Sequence, residues 1–427
     1  MNKILDAREK RANHILELMN EFKQKTIVII KTNVPGANKN PRNMGFICHY
    51  FSEIFKEAFG KKILYSQKIK SFDGDYFYFV VSDVGKIVKE KTIAIEELNS
   101  LGRLIDIDVF NESSITREDI NRKARKCLIC DNDAHICSRN KKHSESELFN
   151  EINKIINDFI IDLIFDKTIS SIYSELRLYP KFGLVSEHDS GCHTDMDSNT
   201  FETSISAIKP FIKEFIIYGI NDLEDPIKLQ EIGIKAEKAM LKATSNVNTH
   251  KGLIFALGVF IPSLTKAILK QEDSNFIIKE IMHISKIIIG DYYKNLEFKK
   301  YKSHGDKIYL SYGIKGLRGE ALKGFDIIFM INSFNDKRGT IKFHEYLINL
   351  MANLDDTTII HKTNIETLNE VKSTFSNVVT KGGYDSNKEL INQLSDSYIK
   401  KNISPGGSAD LLVLKIIFEE LKYLLKN

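Results

Sequence analysis

The sequence has few cysteines, little net charge and no obvious long apolar segment. Five cysteines among 427 residues do not supply a disulfide scaffold, so reduced thiols in a cytoplasmic protein are expected. The first residues, MNKILDAREKRAN, lead directly into charge and contain no apolar core of a secretory signal. We expect no apolar run to approach the roughly 18 residues of a membrane helix, and no membrane partner.

The formal net charge of +4 is too small to predict nucleic acid as the main partner. Its location is more informative, because 117–142 contain eight Lys or Arg residues against four Asp or Glu residues. Such a basic stretch steers phosphates or an acidic protein, and it is equally typical of a solvated surface. The chain length predicts two or three domains.

The first third of the chain predicts an α+β domain. Apolar residues recur at helical spacing in 2–23 and 44–59. Runs rich in β-branched and aromatic residues, bounded by turn residues, predict strands at 26–34, 75–82 and 102–110.

From about residue 145 the pattern changes to helices alone. A 3.6-residue period continues through 149–164 and recurs at 227–243, 251–270, 275–291, 341–354 and 409–425. Glycine-rich loops separate these helices, and no comparable strand runs follow. We therefore predict an α+β domain at 1–145 and a larger all-α domain at 146–427, without a linker composition between them.

Two aspartates, Asp106 and Asp108, lie within the third predicted strand. Alternate residues of a strand share a face and lie about 7 Å apart, and two carboxylates on an apolar strand are costly to bury unpaired. A Mg²⁺ ion that bridges phosphates is one solution, with Arg103, Arg117 and Arg125 as candidate phosphate ligands. A pair satisfied within an edge strand is the structural alternative.

A cysteine cluster follows the aspartate pair. The spacing Cys127-x₂-Cys130-x₆-Cys137-x₅-His143 offers the ligand types of tetrahedral Zn²⁺, and His135 competes for the fourth position. The alternative is a set of reduced thiols that pack a small subdomain. A nucleophilic cysteine is disfavoured, because nothing in the sequence supplies its base.

Three segments of this half resemble a known family. NVPGANKN (33–40), LGRLIDIDV (101–109) and RKCLICDNDAHICSRNKKH (125–143), in that order, resemble citrate lyase holo-acyl-carrier-protein synthase, also named apo-citrate lyase phosphoribosyl-dephospho-CoA transferase. The resemblance spans roughly 1–145 and implies a nucleotidyltransferase-like sheet with helices. It also implies transfer of phosphoribosyl-dephospho-CoA to a serine of the acyl carrier (gamma) subunit of citrate lyase, with pyrophosphate release. Asp106 and Asp108, with Arg103 beside them, then serve metal-assisted displacement at phosphorus.

The second half contains six blocks that mix glycine with charged residues: 180–197, 248–258, 316–325, 354–362, 381–383 and 404–412. The last block places Gly406, Gly407 and Ser408 before a long helix. Backbone N–H groups at a helix start favour phosphate, particularly where glycine permits close approach. The alternative is an N-cap at Ser408 with Asp410 in the first turn.

Five carboxylates recur in these glycine-rich settings: Asp195, Asp197, Asp355, Asp356 and Asp410. Each alone is typical of a helix cap or a surface charge. Together they predict a polyphosphate site in which they converge on one or two Mg²⁺ ions. The candidate substrate and phosphate ligands are Lys181, His193, Lys251 and Arg318.

The six blocks, in this order, resemble triphosphoribosyl-dephospho-CoA synthase over about 150–427. The resemblance implies ATP and 3'-dephospho-CoA as substrates, and 2'-(5''-triphosphoribosyl)-3'-dephospho-CoA and adenine as products. A ribose hydroxyl of dephospho-CoA attacks the anomeric carbon of ATP and displaces adenine, which requires a base and negative charge near the developing cation. We assign the base to Glu320.

The two resemblances together predict a bifunctional transferase, because the product of the second half is the substrate of the first. One rival is a helical ADP-ribosylglycohydrolase-like hydrolase fused to an unrelated nucleotidyltransferase. In that case water would be the acceptor. A second rival is a non-catalytic scaffold for lyase assembly, which the density of carboxylates in glycine-rich loops disfavours.

Overall fold

The computed structural model describes residues 2–36, 38, 39, 41, 43–296, 298, 300, 302–337 and 339–426, so residues 37 and 40 of the segment 33–40 lie outside it. The chain divides into two compact units. Unit 1 extends to Asp162 and includes Ile268–Gln271, and unit 2 comprises Leu163–Ala267 and the described residues from Glu272 onward.

Unit 1 is built from an antiparallel sheet and helices. Its elements are α1 (Asn2–Glu21), β1 (Thr26–Thr32), α2 (Met44–Phe59), β2 (Ile63–Ile69), β3 (Tyr76–Val81), α3 (Gly85–Glu96), β4 (Ile105–Asn111), β5 (Ser113–Ile115), α4 (Ala134–Arg139) and the first part of α5 (Glu145–Leu176). The five strands lie in the order β2-β3-β1-β4-β5.

The sheet buries both faces at its centre. Helix α1 packs Leu18 against Ile27, Ile29 and Tyr78 on one face. Helices α2 and α3 contact the strands, and the strands β1 and β3 are accordingly apolar along nearly their whole length. Helix α5 has neither glycine nor proline in 32 residues, which permits its length.

Strand β4 carries the aspartate pair through simple alternation. Ile105, Ile107 and Val109 are buried, whereas Asp106 and Asp108 point to the opposite face. On this face of the sheet, α1 covers an apolar row that includes Ile27 and Ile29 of β1. Asp106 lies beyond the end of that row, because its partner in β1 is Lys31. Because β5 pairs only with 109–111, the first half of β4 is an edge of the sheet.

Unit 2 is helical throughout the described residues. It contains the rest of α5, then α6 (Ser198–Ile220), α7 (Pro226–Ala243), α8 (Lys251–Lys270), α9 (Ser274–Ile289), α10 (His304–Tyr312), α11 (Gly316–Leu322), α12 (Asp326–Met330), α13 (Ile341–Asn353), α14 (Thr357–Lys362), α15 (Ile365–Thr380), α16 (Gly383–Ser386), α17 (Lys388–Lys400) and α18 (Gly406–Leu421). The structure confirms the predicted order along the chain, an α+β part followed by a larger helical part. The likeness of the sheet to nucleotidyltransferases stays a prediction.

Helix α8 corrects one expectation from the sequence. Its 20 residues are long and apolar enough to cross a membrane, so the expectation that no run approaches that length is wrong. Its most apolar 18-residue window is 89% buried inside the protein, as in the core helix of a globular fold. Continuous hydrophobicity here reflects burial on all sides.

Strands β2 and β5 and ten helices were not predicted: α3, α4, α6, α10, α11, α12, α14, α15, α16 and α17. Strand β2 was missed because its sequence ILYSQKI is mostly exposed and contains the polar run SQK, and β5 has only three residues. Helix α6 was missed because Pro210 interrupts its pattern, although Asp197 and Thr200 form a capping box at its start. The helix predicted at 409–425 begins earlier, at Gly406, so Gly406 to Ser408 form its first turn.

Candidate active sites

A cavity of about 670 Å³ lies within unit 2. Five of the six glycine-rich blocks contribute to its wall, although they are separated by up to about 220 residues in sequence. The sixth block, 381–383, lies elsewhere: Gly383 adopts a left-handed conformation against the Glu345 carboxylate. Nine of the candidate residues line the cavity: Lys181, His193, Lys251, Arg318, Asp355, Asp356, Gly406, Gly407 and Asp410.

Asp410 is the distinctive group of the cavity. Its Oδ2 lies 2.0 Å from the position that a Cβ on Gly252 would occupy, so only glycine permits this approach to the start of α8. No described residue donates a hydrogen bond to it or pairs with it. Burial, together with the neighbouring Glu175 and Asp356 carboxylates, raises the pKa of Asp410 well above its ordinary value.

Asp356 occupies the start of helix α18. Its carboxylate accepts hydrogen bonds from the backbone N–H groups of Gly407 (3.2 Å) and Ser408 (2.8 Å) and from the Ser408 hydroxyl (3.0 Å). It also caps α14 by accepting from the Thr358 N–H. Two of the three residues predicted to donate to phosphate, Gly407 and Ser408, are therefore engaged by a carboxylate, and Ser408 is not the cap. Burial raises the pKa of Asp356, and these hydrogen bonds oppose the rise.

Glu175 and Lys181 form a buried ion pair in the cavity wall. Their charged atoms lie 2.7 Å apart, and the Lys181 ammonium also donates to the Val185 carbonyl at 2.7 Å. Burial raises the pKa of Glu175 and lowers that of Lys181, and the pairing opposes both shifts. Lys181 is thus held by Glu175 instead of being free for a substrate phosphate.

The remaining cations of the cavity differ in their partners. The Arg318 guanidinium stacks 4.5 Å from the Tyr292 ring centre, and no described residue forms an ion pair with it. Lys315, which was not among the predicted residues, lies 5.2 Å from the ring centre of Tyr293 and likewise has no acidic partner among the described residues. Lys251 pairs with Glu237 at 2.5 Å and is half exposed.

Two neutral histidines belong to the wall. His193 contacts the Ser404 hydroxyl at 3.1 Å and the Lys362 ammonium at 3.4 Å, and burial together with Lys362 lowers its pKa to about 4. His250 contacts the Ser204 hydroxyl at 2.6 Å through Nδ1. Burial and the nearby Lys181 lower the pKa of His250 to about 3, so both rings are uncharged at neutral pH.

Four of the predicted residues lie outside the cavity wall, and one stands at its margin. Asp195 is 61% exposed, and Asp197 is the exposed N-cap of α6, where the Thr200 N–H lowers its pKa. Glu320 pairs with Lys323 at 2.9 Å, and the hydroxyl of the fourth, Ser408, is held by Asp356. Asp355 reaches the cavity but is 54% exposed and pairs with Lys372. The five aspartates therefore do not form one cluster.

The aspartates of unit 1 are in ion pairs. Asp106 Oδ1 lies 3.1 Å from the Arg125 guanidinium, and Asp108 Oδ2 lies 3.7 Å from the Lys31 ammonium. The two side chains are 33% and 45% exposed, respectively. Burial raises the pKa of Asp106, and Arg125 opposes the rise.

At the open edge of β4, side chains make the backbone hydrogen bonds that a neighbouring strand would otherwise make. The Ile107 N–H donates to Glu96 at 2.9 Å, and the Lys89 ammonium donates to the Ile107 carbonyl at 2.9 Å. Glu96 also pairs with Arg125 and, at 2.6 Å, with Arg117. Two of the three arginines predicted to bind phosphate are thus already held by carboxylates.

The cysteine cluster lies next to this edge. The third predicted arginine, Arg103, donates to the backbone carbonyl of Cys127, away from the aspartates. The sulfur atoms of Cys127, Cys130 and Cys137 and a ring nitrogen of His143 all lie within 4.8 Å of one another, and His135 is not part of the group. These four side chains could hold one metal ion.

Two important residues carried no recognisable signal in the sequence. Glu175 lies at the end of α5 in an ordinary amphipathic pattern, and Lys315 precedes the block that contains Arg318. Gly252 had a signal, because a glycine beside a helix start in a charged block suggests a close approach. Its partner, 158 positions later, could not be read from the sequence.

Comparison with known proteins covers nearly the whole chain. Residues 1–159 match the family of apo-citrate lyase phosphoribosyl-dephospho-CoA transferase, CitX, and residues 164–427 match that of ATP:dephospho-CoA triphosphoribosyl transferase, CitG. Protein CitXG of Haemophilus influenzae is 31% identical, over 97% of this chain and 95% of its own length. Protein CitXG of Leuconostoc mesenteroides is 30% identical, over 98% and 96%.

Relatives of the second half alone also occur. The 2-(5''-triphosphoribosyl)-3'-dephosphocoenzyme-A synthase of Haemophilus ducreyi is 33% identical over 69% of this chain and its own full length.

Proposed function

The chain belongs to the two-part CitXG family, whose members join the CitX and CitG transferases, and from this premise we propose how its two sites divide the work. The protein is a bifunctional transferase that makes and attaches the prosthetic group of citrate lyase. We assign the synthesis to the cavity of unit 2 and the attachment to the aspartate edge of unit 1.

The synthesis forms a bond between a ribose hydroxyl of dephospho-CoA and the anomeric carbon of ATP. The carbon–nitrogen bond to adenine breaks, adenine leaves with the electron pair and a proton, and the attacking hydroxyl loses its proton. Such a reaction needs a base near the hydroxyl and negative charge near the cationic ribose. A carboxylate in the cavity wall with both oxygens unengaged meets both needs.

Asp410 is the observation that carries this assignment. Burying an unpaired carboxylate beside two others is unfavourable unless a ligand uses it. Asp410 replaces Glu320 as the proposed base, because Glu320 is tied to Lys323 outside the cavity wall. Arg318 and Lys315, which lack acidic partners among the described residues, are the proposed triphosphate ligands.

Mg²⁺ fits this donor set. Asp410 offers two carboxylate oxygens and Glu175 a second acidic side chain, whereas the hydrogen bonds to Asp356 occupy its oxygens. Hard cations take carboxylate oxygens, so one oxygen of Asp410, with Glu175, would hold the ion, and the other Asp410 oxygen would remain available as the base. When bound, it would screen the charge of the triphosphate.

In the attachment, a serine hydroxyl of the carrier attacks the phosphorus of the 5''-phosphate, the bond from that phosphorus to the pyrophosphate oxygen breaks, and the serine proton passes to the solvent. Asp106 and Asp108 share one sheet face and stay partly exposed, so they fit a Mg²⁺ ion that would screen the pyrophosphate charge. Within the protein, Arg125 and Lys31 fix the orientation of the two carboxylates.

The acceptor is proposed to be the gamma subunit of citrate lyase. Six exposed basic residues surround the cysteine cluster and suit an acidic carrier: Arg122, Lys123, Lys126, Arg139, Lys141 and Lys142.

We expect the cytoplasm as the location, because ATP is consumed and all five cysteines are free thiols. The rival hydrolase and scaffold readings lose their basis, because both halves match transferases.

The test measures free adenine from ATP and dephospho-CoA. Asp410→Asn keeps the side-chain shape but removes the base and the charge, so adenine release should fall on the order of a hundredfold or more. Its thermal unfolding temperature should not fall, because no described residue pairs with the Asp410 carboxyl group. Glu320→Gln and the exposed Asp396→Asn should retain most activity.

Two results would overturn the assignment. One is full adenine release by Asp410→Asn together with loss in Glu320→Gln, which would restore the base predicted from sequence. The other is adenine release by the unaltered protein at the same rate without dephospho-CoA, since that identifies water as the acceptor.

A further inference from the structure

Three cysteines and a histidine in unit 1 surround a common point. Cys130 Sγ lies 3.5 Å from Cys137 Sγ and 3.3 Å from His143 Nε2. Ligands about 2.3 Å from a tetrahedral Zn²⁺ place two sulfur atoms about 3.8 Å apart. The thiols are free, so these distances are not those of a disulfide, and they are compatible with ligands of one metal ion.

The burial pattern disfavours simple packing of reduced thiols around a small apolar core. Cys127 and Cys137 are buried, whereas Ile129 and Ile136 of the same segment are 39% and 51% exposed. A small hydrophobic core would bury the isoleucines together with the cysteines, because both residue types are usually buried. With the isoleucines exposed, a metal ion bound by the thiols is a source of stability for this segment that apolar packing does not supply.

We propose that this cluster binds one structural Zn²⁺ ion through Cys127, Cys130, Cys137 and His143. Three thiolates and a neutral imidazole around Zn²⁺ leave one net negative charge. The Lys142 ammonium, 3.8 Å from Cys130 Sγ, offsets that charge. The closed set of four protein ligands leaves no open position, as in structural and unlike catalytic zinc sites.

The ion also has a role in the attachment reaction, and this part rests on the function proposed for unit 1. Arg125 lies two residues before the first ligand, and its backbone carbonyl accepts from the Ala134 N–H at 2.9 Å across the cysteine loop. Its guanidinium contacts the Ile105 carbonyl at 2.6 Å and Asp106 at 3.1 Å. The loop of 127–143 that carries the four ligands therefore positions Arg125 on Asp106. Arg103, just before β4, holds the same loop by donating to the Cys127 carbonyl.

The first experiment measures metal in the full-length protein. Purified protein should carry about one zinc per chain, and replacement by Co²⁺ should give thiolate-to-cobalt charge-transfer absorption. Cys130→Ala and His143→Gln should lose the ion, whereas Cys192→Ser and His135→Gln should keep it. Protein without zinc that takes up no Co²⁺ would refute the site, and loss in His135→Gln but not His143→Gln would refute the ligand set.

The second experiment separates the site from its role. Chelation of zinc should lower carrier modification more than tenfold, restored by added Zn²⁺, while adenine release stays constant and reports that unit 2 is folded. Full carrier modification by zinc-free protein would overturn the coupling and leave the metal site intact. Zinc-loaded protein without any carrier modification would instead contradict the function proposed for unit 1.

Discussion

The two sites use charged residues in opposite ways. At the edge of β4, nearly every charge is engaged by another protein group, and Glu96 alone joins Arg117, Arg125 and the backbone of Ile107. In the cavity of unit 2, Asp410 and Arg318 have no described partner of opposite charge. Paired charges hold the protein's own side chains in place, whereas unpaired charges in a cavity wall are typical of groups that bind a ligand.

This contrast has an energetic basis. A buried pair recovers part of the cost of removing ions from water, whereas a lone buried carboxylate recovers none until a ligand arrives. Substitutions in unit 1 should therefore affect stability and activity together. Substitutions at the unpaired groups of unit 2 should separate the two.

The largest effect that the contrast predicts for unit 1 is at Asp106. Asp106→Asn removes half of the pair with Arg125 and the charge proposed for pyrophosphate release, so carrier modification should fall on the order of a hundredfold. The assay supplies ready-made triphosphoribosyl-dephospho-CoA, and adenine release should not change. The exposed Glu118→Gln is the control. Normal carrier modification with a lower unfolding temperature would mean that the pair is structural only.

A glycine pair tests the position of Asp410. A Cβ on Gly252 would lie 2.0 Å from Asp410 Oδ2, whereas one on Gly233, also in a helix that lines the cavity, would meet no atom within 4 Å. Gly252→Ala should lower adenine release between tenfold and a hundredfold, because displacement of a reacting group by about 1 Å has effects of that size. Gly233→Ala should leave it unchanged. Equal rates of adenine release by the two variants would show that the close approach of Asp410 to α8 does not affect the reaction.

Two cations on the cavity wall sharpen the comparison between paired and unpaired groups. Arg318→Ala should raise KM for ATP roughly tenfold with little change in kcat, because an unpaired guanidinium contributes its charge to the phosphates. Lys251→Ala should change KM much less, because Glu237 already holds that ammonium. Steady-state kinetics of both variants decide the matter, and a larger effect at Lys251 would contradict the distinction.

The smallest predicted effect concerns acid stability of unit 2. The folded pKa of His250 is about 3, below its ordinary value near 6.5, so the unfolded state binds the extra proton first. Stability is complete above pH 6.5 and falls as the pH decreases, by about 1 kcal/mol between pH 6.5 and 5.5. Hydrogen exchange of amides in α6 and α8 measures this loss, and His250→Asn should remove the part of the dependence that His250 contributes, while the part from His193 remains. An unchanged slope in that variant would assign the effect elsewhere.

The sequence predicted the fold where periodicity reflects burial. The strands β1, β3 and β4 and the long helices have strong apolar patterns, and both the order of domains and the alternation at Asp106 and Asp108 follow from them. Strand β2 could not be found in this way, because an exposed edge strand needs no apolar face.

The site was predictable only as blocks. Glycine mixed with charge identified five segments that meet at the cavity, but residue types do not reveal which partner each side chain chooses. Asp356 and Ser408 are 52 positions apart, and their contact removes the phosphate donors that the local sequence suggested. Asp197 has the same chemistry as Asp410, yet local backbone geometry makes it a cap.

Helix α5 limits how the gene could be divided between two proteins. Its 32 residues run without a break through the point where the units separate, and residues up to Asp162 belong to unit 1, where Phe159 packs on Tyr50. A cut at 145 deprives unit 1 of this packing, and a cut at 162 splits the helix. We therefore expect a separately produced unit 1 to be stable only if it includes 146–162, so the useful boundary for dividing the gene lies after this segment and not before it.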